Sequence, residues 1–146
     1  MFLKQNQISQ RLGYFAAGTT KKTTTILDMA GYDGVVFIVG LGTLIEAGTL
    51  DAFVEQNTIN STSGMARLAT TTVHTVTAAD ALKTESCIVV DVFRPQERYV
   101  QCNITPAVQN AVILGVVAIQ YNGRVKPETL GASVLTSFAI SNPPEA

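Results

Sequence analysis

The sequence predicts an all-β fold, an antiparallel β-sandwich of jelly-roll-like form. The first observation is compositional. The 146 residues include 18 threonines, eleven glycines and no tryptophan. Threonine favours strands and glycine favours turns. The second is spacing. Strand-like runs rich in Val, Ile and Thr recur roughly every 10–15 residues with turn signals between them, the rhythm of a sandwich or barrel. The third is alternation. The runs at 49–58 and 88–104 change polarity with the period of two that marks a half-buried strand.

Each element follows in order. Residues 1–22, ending in "GTTKK", read as an extended N-terminal arm carrying one short strand. The sandwich domain spans 23–138. "TTTILDMAGYDG" (23–34) is a strand followed by a Gly/Asp turn. "VVFIVGLG" (35–42) is a continuous apolar, mostly β-branched run, which predicts a strand covered on both faces. In "TLDAFVEQNT" (49–58), Leu50, Ala52 and Val54 share one face, and Asp51, Phe53 and Glu55 share the other. Residues 59–70 are loop-like, with a single helical turn at Met65–Leu68. "TTVHTVT" (71–77) is a strand by composition, and 78–85 is a connector with one helical turn. "AVQNAVILGVVAIQYNG" (107–123) is the longest strand, apolar on both faces and closed by an Asn-Gly turn. Gly115 and the Val/Ile run speak against a helix there. The tail, 139–146, ends "SNPPEA" and is expected to be extended.

Charge and hydropathy narrow the class. Ten basic against eleven acidic residues give no long-range field to draw in nucleic acid or an anionic membrane. Only 14% of residues are charged while 47% are hydrophobic, so part of the exterior is expected to be covered by copies of the chain or by a partner. The polar residues at 4–7 interrupt the only apolar run near the start. No secretory signal is therefore predicted, and folding is expected in the cytoplasm. No run approaches the ~18 apolar residues of a membrane span. Two cysteines are too few for a disulfide framework.

The stretch "CIVVDVFRPQERYVQCNI" (87–104) has the sharpest pattern. Ile88, Val90 and Val92 share one face of the first strand and Val100, Cys102 and Ile104 one face of the second, each set read as facing inward. Pairing them as a hairpin matches 88 with 104, 90 with 102 and 92 with 100. Three expectations follow. Cys87 points out and Cys102 points in, so both are free thiols. Phe93 and Tyr99 form an outer cross-strand aromatic pair. Arg94 and Arg98 flank the turn as neighbours. Phe93, Arg94, Arg98 and Tyr99 are the candidate protein-interaction residues, because aromatics and arginine are the usual interface anchors.

Chemistry is weakly represented. The lone histidine, His74, lies in a threonine-rich strand with no nucleophile-elbow pattern around it. Asp28, Asp33 and Asp51 are scattered, so no metal site is predicted. "GLG" (40–42) lacks the third glycine of a phosphate loop. No catalytic residue and no cofactor is expected, and the chain does not read as an enzyme.

The succession "GYDGVVFIVGLGTL…GTLDAFVEQ", "VVDVFRPQERYVQCNIT" and "NAVILGVVAIQYNGR" resembles the small virion proteins of tailed bacteriophages encoded beside the major capsid protein, the head decoration or cement proteins. Asp91, Arg94-Pro95, Arg98-Tyr99 and Ala118-Ile119-Gln120-Tyr121 carry the likeness, which covers roughly residues 30–125. It implies a β-sandwich or jelly roll on the capsid exterior, made in the host cytoplasm. It also implies the major capsid protein as partner, assembly as a dimer or trimer, and a role in bridging capsomers. Other virion parts, such as head–tail or tail proteins, are the nearest alternative. A carbohydrate-binding β-sandwich is the alternative from another class, disfavoured by the absence of tryptophan platforms.

Overall fold

The apolar runs form long strands, and their alternation packs them into two sheets. The computed structural model describes residues 2–68, 73–126 and 129–137. Among the described residues, a 3-10 turn at Phe2–Lys4 precedes eleven strands: β1 Gln7–Leu12, β2 Phe15–Gly18, β3 Lys22–Thr23, β4 Leu27–Asp28, β5 Gly34–Leu44, β6 Thr49–Asn57, β7 Ala66–Arg67, β8 His74–Thr75, β9 Ser86–Phe93, β10 Tyr99–Ala107 and β11 Ala111–Tyr121. One short helix, α1 Ala78–Ala81, sits between β8 and β9.

All pairings are antiparallel. Sheet A runs β1-β11-β5-β9, with β2 also on β11. Sheet B runs β3-β10-β6-β7, with β4 also on β10 and β8 on β6. Taking β1/β2, β3/β4 and β7/β8 each as one broken strand, the chain visits the sheets in the order A, B, A, B, B, A, B, A. That is the winding of an eight-strand jelly roll, and it seats the first and last strands side by side.

The core lies between the sheets. Val35, Phe37, Val39 and Leu41 of β5 and Ile113, Val116 and Ala118 of β11 meet Leu50, Ala52 and Val54 of β6 and Val100, Cys102 and Ile104 of β10. The parity expected for 49–58 and for 88–104 therefore holds. In β11 the inward parity changes between Ile113 and Val116, because the pairing with β5 slips by one residue between Ile113 and Gly115, a bulge. Gly115 has φ +147°, and a Cβ there would lie 2.7 Å from the Leu12 carbonyl oxygen, so only glycine fits. Part of the two-faced apolar look of 107–123 is this change of parity.

Three expectations need correction. The helical turn expected at Met65–Leu68 is instead the strand β7, paired with the edge of β6. Residues 87–104 are not a hairpin. β9 pairs with β5 in sheet A and β10 pairs with β6 in sheet B, so the connection at 94–98 is an arch between sheets. The inward residues of β9 and β10 face each other across the core instead of lying side by side. Alternation reports which side of a strand meets the core, and that side is the same for an arch as for a hairpin. The boundary at residue 22 also does not separate an arm from a domain. β1 and β2 hydrogen-bond to β11, and Ser9 is buried. Too few large apolar residues occur in 1–22 for the sequence to show this. The expected tail at 139–146 lies outside the described residues, as do residues 71–72 of the expected strand at 71–77.

Candidate interaction surface

The arch at 94–98 is held rigidly. The buried Gln56 side chain accepts hydrogen bonds from the backbone N–H groups of Gln96 (3.1 Å) and Glu97 (3.3 Å). The Arg94 N–H donates to the Asp33 carbonyl at 2.7 Å, and the Met29 N–H donates to the Arg98 carbonyl at 2.8 Å. The Arg124 N–H donates to the Gly31 carbonyl at 2.9 Å. Three loops, 29–33, 94–98 and 122–124, are thus tied at one end of the sandwich. They line a shallow hollow of about 520 Å³ that includes Asp33, Arg94, Glu97, Arg98 and Arg124.

The four sequence-predicted residues all lie at this end, in an arrangement unlike the expected one. Phe93 is 59% exposed at the end of β9, with the Arg94 guanidinium 5.0 Å from its ring centre. Tyr99 begins β10 in the other sheet, half-buried between Asp28 and Asn57. The two aromatics are therefore not a cross-strand pair. Arg98 grips Asp28 with two hydrogen bonds of 2.7 Å and rests over the Tyr99 ring. That grip holds the Asp28 carboxyl below its usual range and raises the guanidinium further. Arg98 is committed within the chain. Arg94 and Arg124 have no carboxylate partner among the described residues. Arg124 was missed by sequence reasoning, which read "NGR" only as a turn; its place beside the arch depends on the sheet pairing.

The two outer faces of the sandwich differ in kind. On sheet B, Glu55 accepts from Gln101 (2.8 Å) and Asn103 (2.9 Å), and Thr23 donates to Asn103 (2.7 Å). Arg67 pairs with both oxygens of Asp51, and its guanidinium lies 4.0 Å from the centre of the Phe53 ring. That face is a mesh of hydrogen bonds and ion pairs. On sheet A the outward rows are Ile8-Ile119-Val36-Asp91, Gln10-Val117-Ile38-Val89 and Gly115-Gly40-Cys87. Val112 and Leu114 extend the apolar surface beyond them. Asp91 is the single charged residue in those rows, and it accepts a 2.8 Å hydrogen bond from Tyr121. The Tyr121 ring lies across Gly34, where any side chain would collide with it. Partial burial and the nearby Asp91 push the Tyr121 hydroxyl up to about 12.

His74 lies in a local brace. Its Nε2 is 3.1 Å from Asp80, which also accepts from Lys83 and closes the capping box with Thr77 at the start of α1. A scan against protein-family models and a search of curated proteins return no match to this chain.

Proposed function

We propose that this chain is a virion structural protein that decorates and stabilises a bacteriophage capsid by bridging capsomers, with the major capsid protein as its partner and a homo-oligomer as its working form. The observation that carries this reading is the tied end of the sandwich. It presents an exposed aromatic, Phe93, and two guanidinium groups, Arg94 and Arg124, without carboxylate partners among the described residues, on loops already fixed by hydrogen bonds. Preordered aromatics and arginines are the groups that anchor protein interfaces, because little conformational freedom is lost when a partner docks. A capsid surface would meet them with carboxylates, which arginine holds in bidentate geometry. A low charged fraction and a rigid body suit a bridging part, which performs no reaction.

The test is decoration of capsids lacking this protein. Arg94→Ala combined with Arg124→Ala should weaken particle binding by about 5- to 150-fold while leaving the melting temperature near that of the wild type. Equal decoration by the double variant and the wild type would remove this end as the contact and the reading with it.

A further inference from the structure

We infer that the outer face of sheet A is the docking surface for a second copy of this chain, the two sheets packing face to face about a two-fold axis. This names the surface behind the self-association included in the functional reading above, but it rests on the sheet geometry and stands if decoration fails.

The first argument is charge. In a two-fold interface a surface must be complementary to itself. A face with scattered charges meets like charges unless each is matched. The outward rows of sheet A carry one charge, Asp91, already bonded to Tyr121, and one amide, Gln10, among isoleucines, valines, glycines and Cys87. Such a face can meet its own copy with no ion pairs to match. The outer face of sheet B could not, since Asp51, Glu55 and Arg67 lie there in fixed pairings.

The second argument is area. β5 and β9 run side by side over eight paired positions, Gly34–Leu41 against Phe93–Ser86. At about 3.4 Å per residue and four strands about 4.8 Å apart, the face measures roughly 19 by 27 Å. That footprint is about 500 Å². The relief of protruding side chains, with Val89 57% and Leu114 48% exposed, adds accessible area beyond it. The total approaches the ~800 Å² per partner of a stable protein interface.

The third argument is shape. Stacked sheets pack about 10 Å apart, and a sheet face can be covered whole by only one other sheet face. The expected assembly is therefore a dimer with layers in the order B, A, A, B. Of the two orders that the resemblance implies, this geometry selects the dimer.

The experiment uses the full chain. Sedimentation across a dilution series should show a species of twice 15.5 kDa. Val89→Glu and Leu114→Glu each place a carboxylate on the face at an exposed position, where the folded monomer tolerates it. Each should raise the dimer dissociation constant at least about 100-fold, with an unchanged circular dichroism spectrum. Cys87, outward on the same face, should be shielded from alkylation in the wild type and react in the variants. A wild type that is monomeric at all concentrations, or a trimer, overturns the inference. So does a dimer indifferent to both substitutions. Loss of particle binding in the two variants with the dimer intact would assign the face to the capsid instead, and also overturns it. A dimer that forms as described but fails to decorate particles leaves this inference standing and removes the capsid role.

Discussion

At the scale of single residues, one thiol and two titrating pairs give the sharpest expectations. Cys102 is 1% exposed, and burial pushes its thiol up to about 12. A thiol must ionise to react, so Cys102 should resist alkylation at about pH 8 in the native protein and react only after unfolding. Mass spectrometry of partly alkylated protein checks this. Labelled Cys102 without loss of structure would contradict the core position. Tyr121 titrates above its ordinary value, so its neutral form is favoured by folding. Its contribution to stability is complete below about pH 10 and is lost as pH rises toward 12. Denaturant melts of Tyr121→Phe should therefore lose stability less steeply than the wild type between pH 10 and 12. Asp28 has the opposite sign. Arg98 holds its carboxyl low, so the pairing stabilises the fold above about pH 4 and is lost as pH falls through the lowered value. Arg98→Ala should melt below the wild type at pH 7, and the gap should close in acid.

At the scale of elements, the arch between β9 and β10 shows what sequence can and cannot fix. The inward residues Ile88, Val90, Val92, Val100, Cys102 and Ile104 were legible, because alternation is local and the core tolerates no slip of one residue. Their partners were not. Gln56, 40 residues from Gln96, supplies the hydrogen bonds that hold the arch, and no local signal marks so distant a donor–acceptor match. The candidate residues were legible as a cluster at one end, while Arg124 and the commitment of Arg98 to Asp28 were not, since both depend on which strands meet. Gln56→Ala leaves the N–H groups of Gln96 and Glu97 without their acceptor and should cost about 1–3 kcal/mol, measured by urea unfolding. An unchanged midpoint would mean that water replaces the side chain at no cost. Gly115→Ala should also destabilise, because the bulge needs a positive φ and the Leu12 carbonyl occupies the space of a Cβ.

At the scale of the whole molecule, the sandwich is closed by the segment that looked least structured. β1 covers the edge of β11, and beyond it the Gly131 N–H donates to the Ile8 carbonyl and the Gln10 N–H donates to Ser133. Residues near both ends of the chain thus complete sheet A together. Deleting residues 1–12 should unfold the domain, because it bares a long apolar strand. Circular dichroism of the truncated chain tests this. A truncated protein with native signal and melting temperature would restore the reading of 1–22 as an arm.

The adjacency of β5 and β11 also sets a timetable. β5 ends at residue 44, and its principal neighbour begins at residue 111. At about 5–20 residues per second, a ribosome needs roughly 3–13 seconds to make the intervening chain. Through that interval the most apolar strand of the protein has no native partner on that side. The nascent chain must hold it apart from other nascent copies until β11 has been made. Where expression is strong and polysomes are crowded, slower translation or a holding chaperone should raise the soluble yield more than any change in the finished fold.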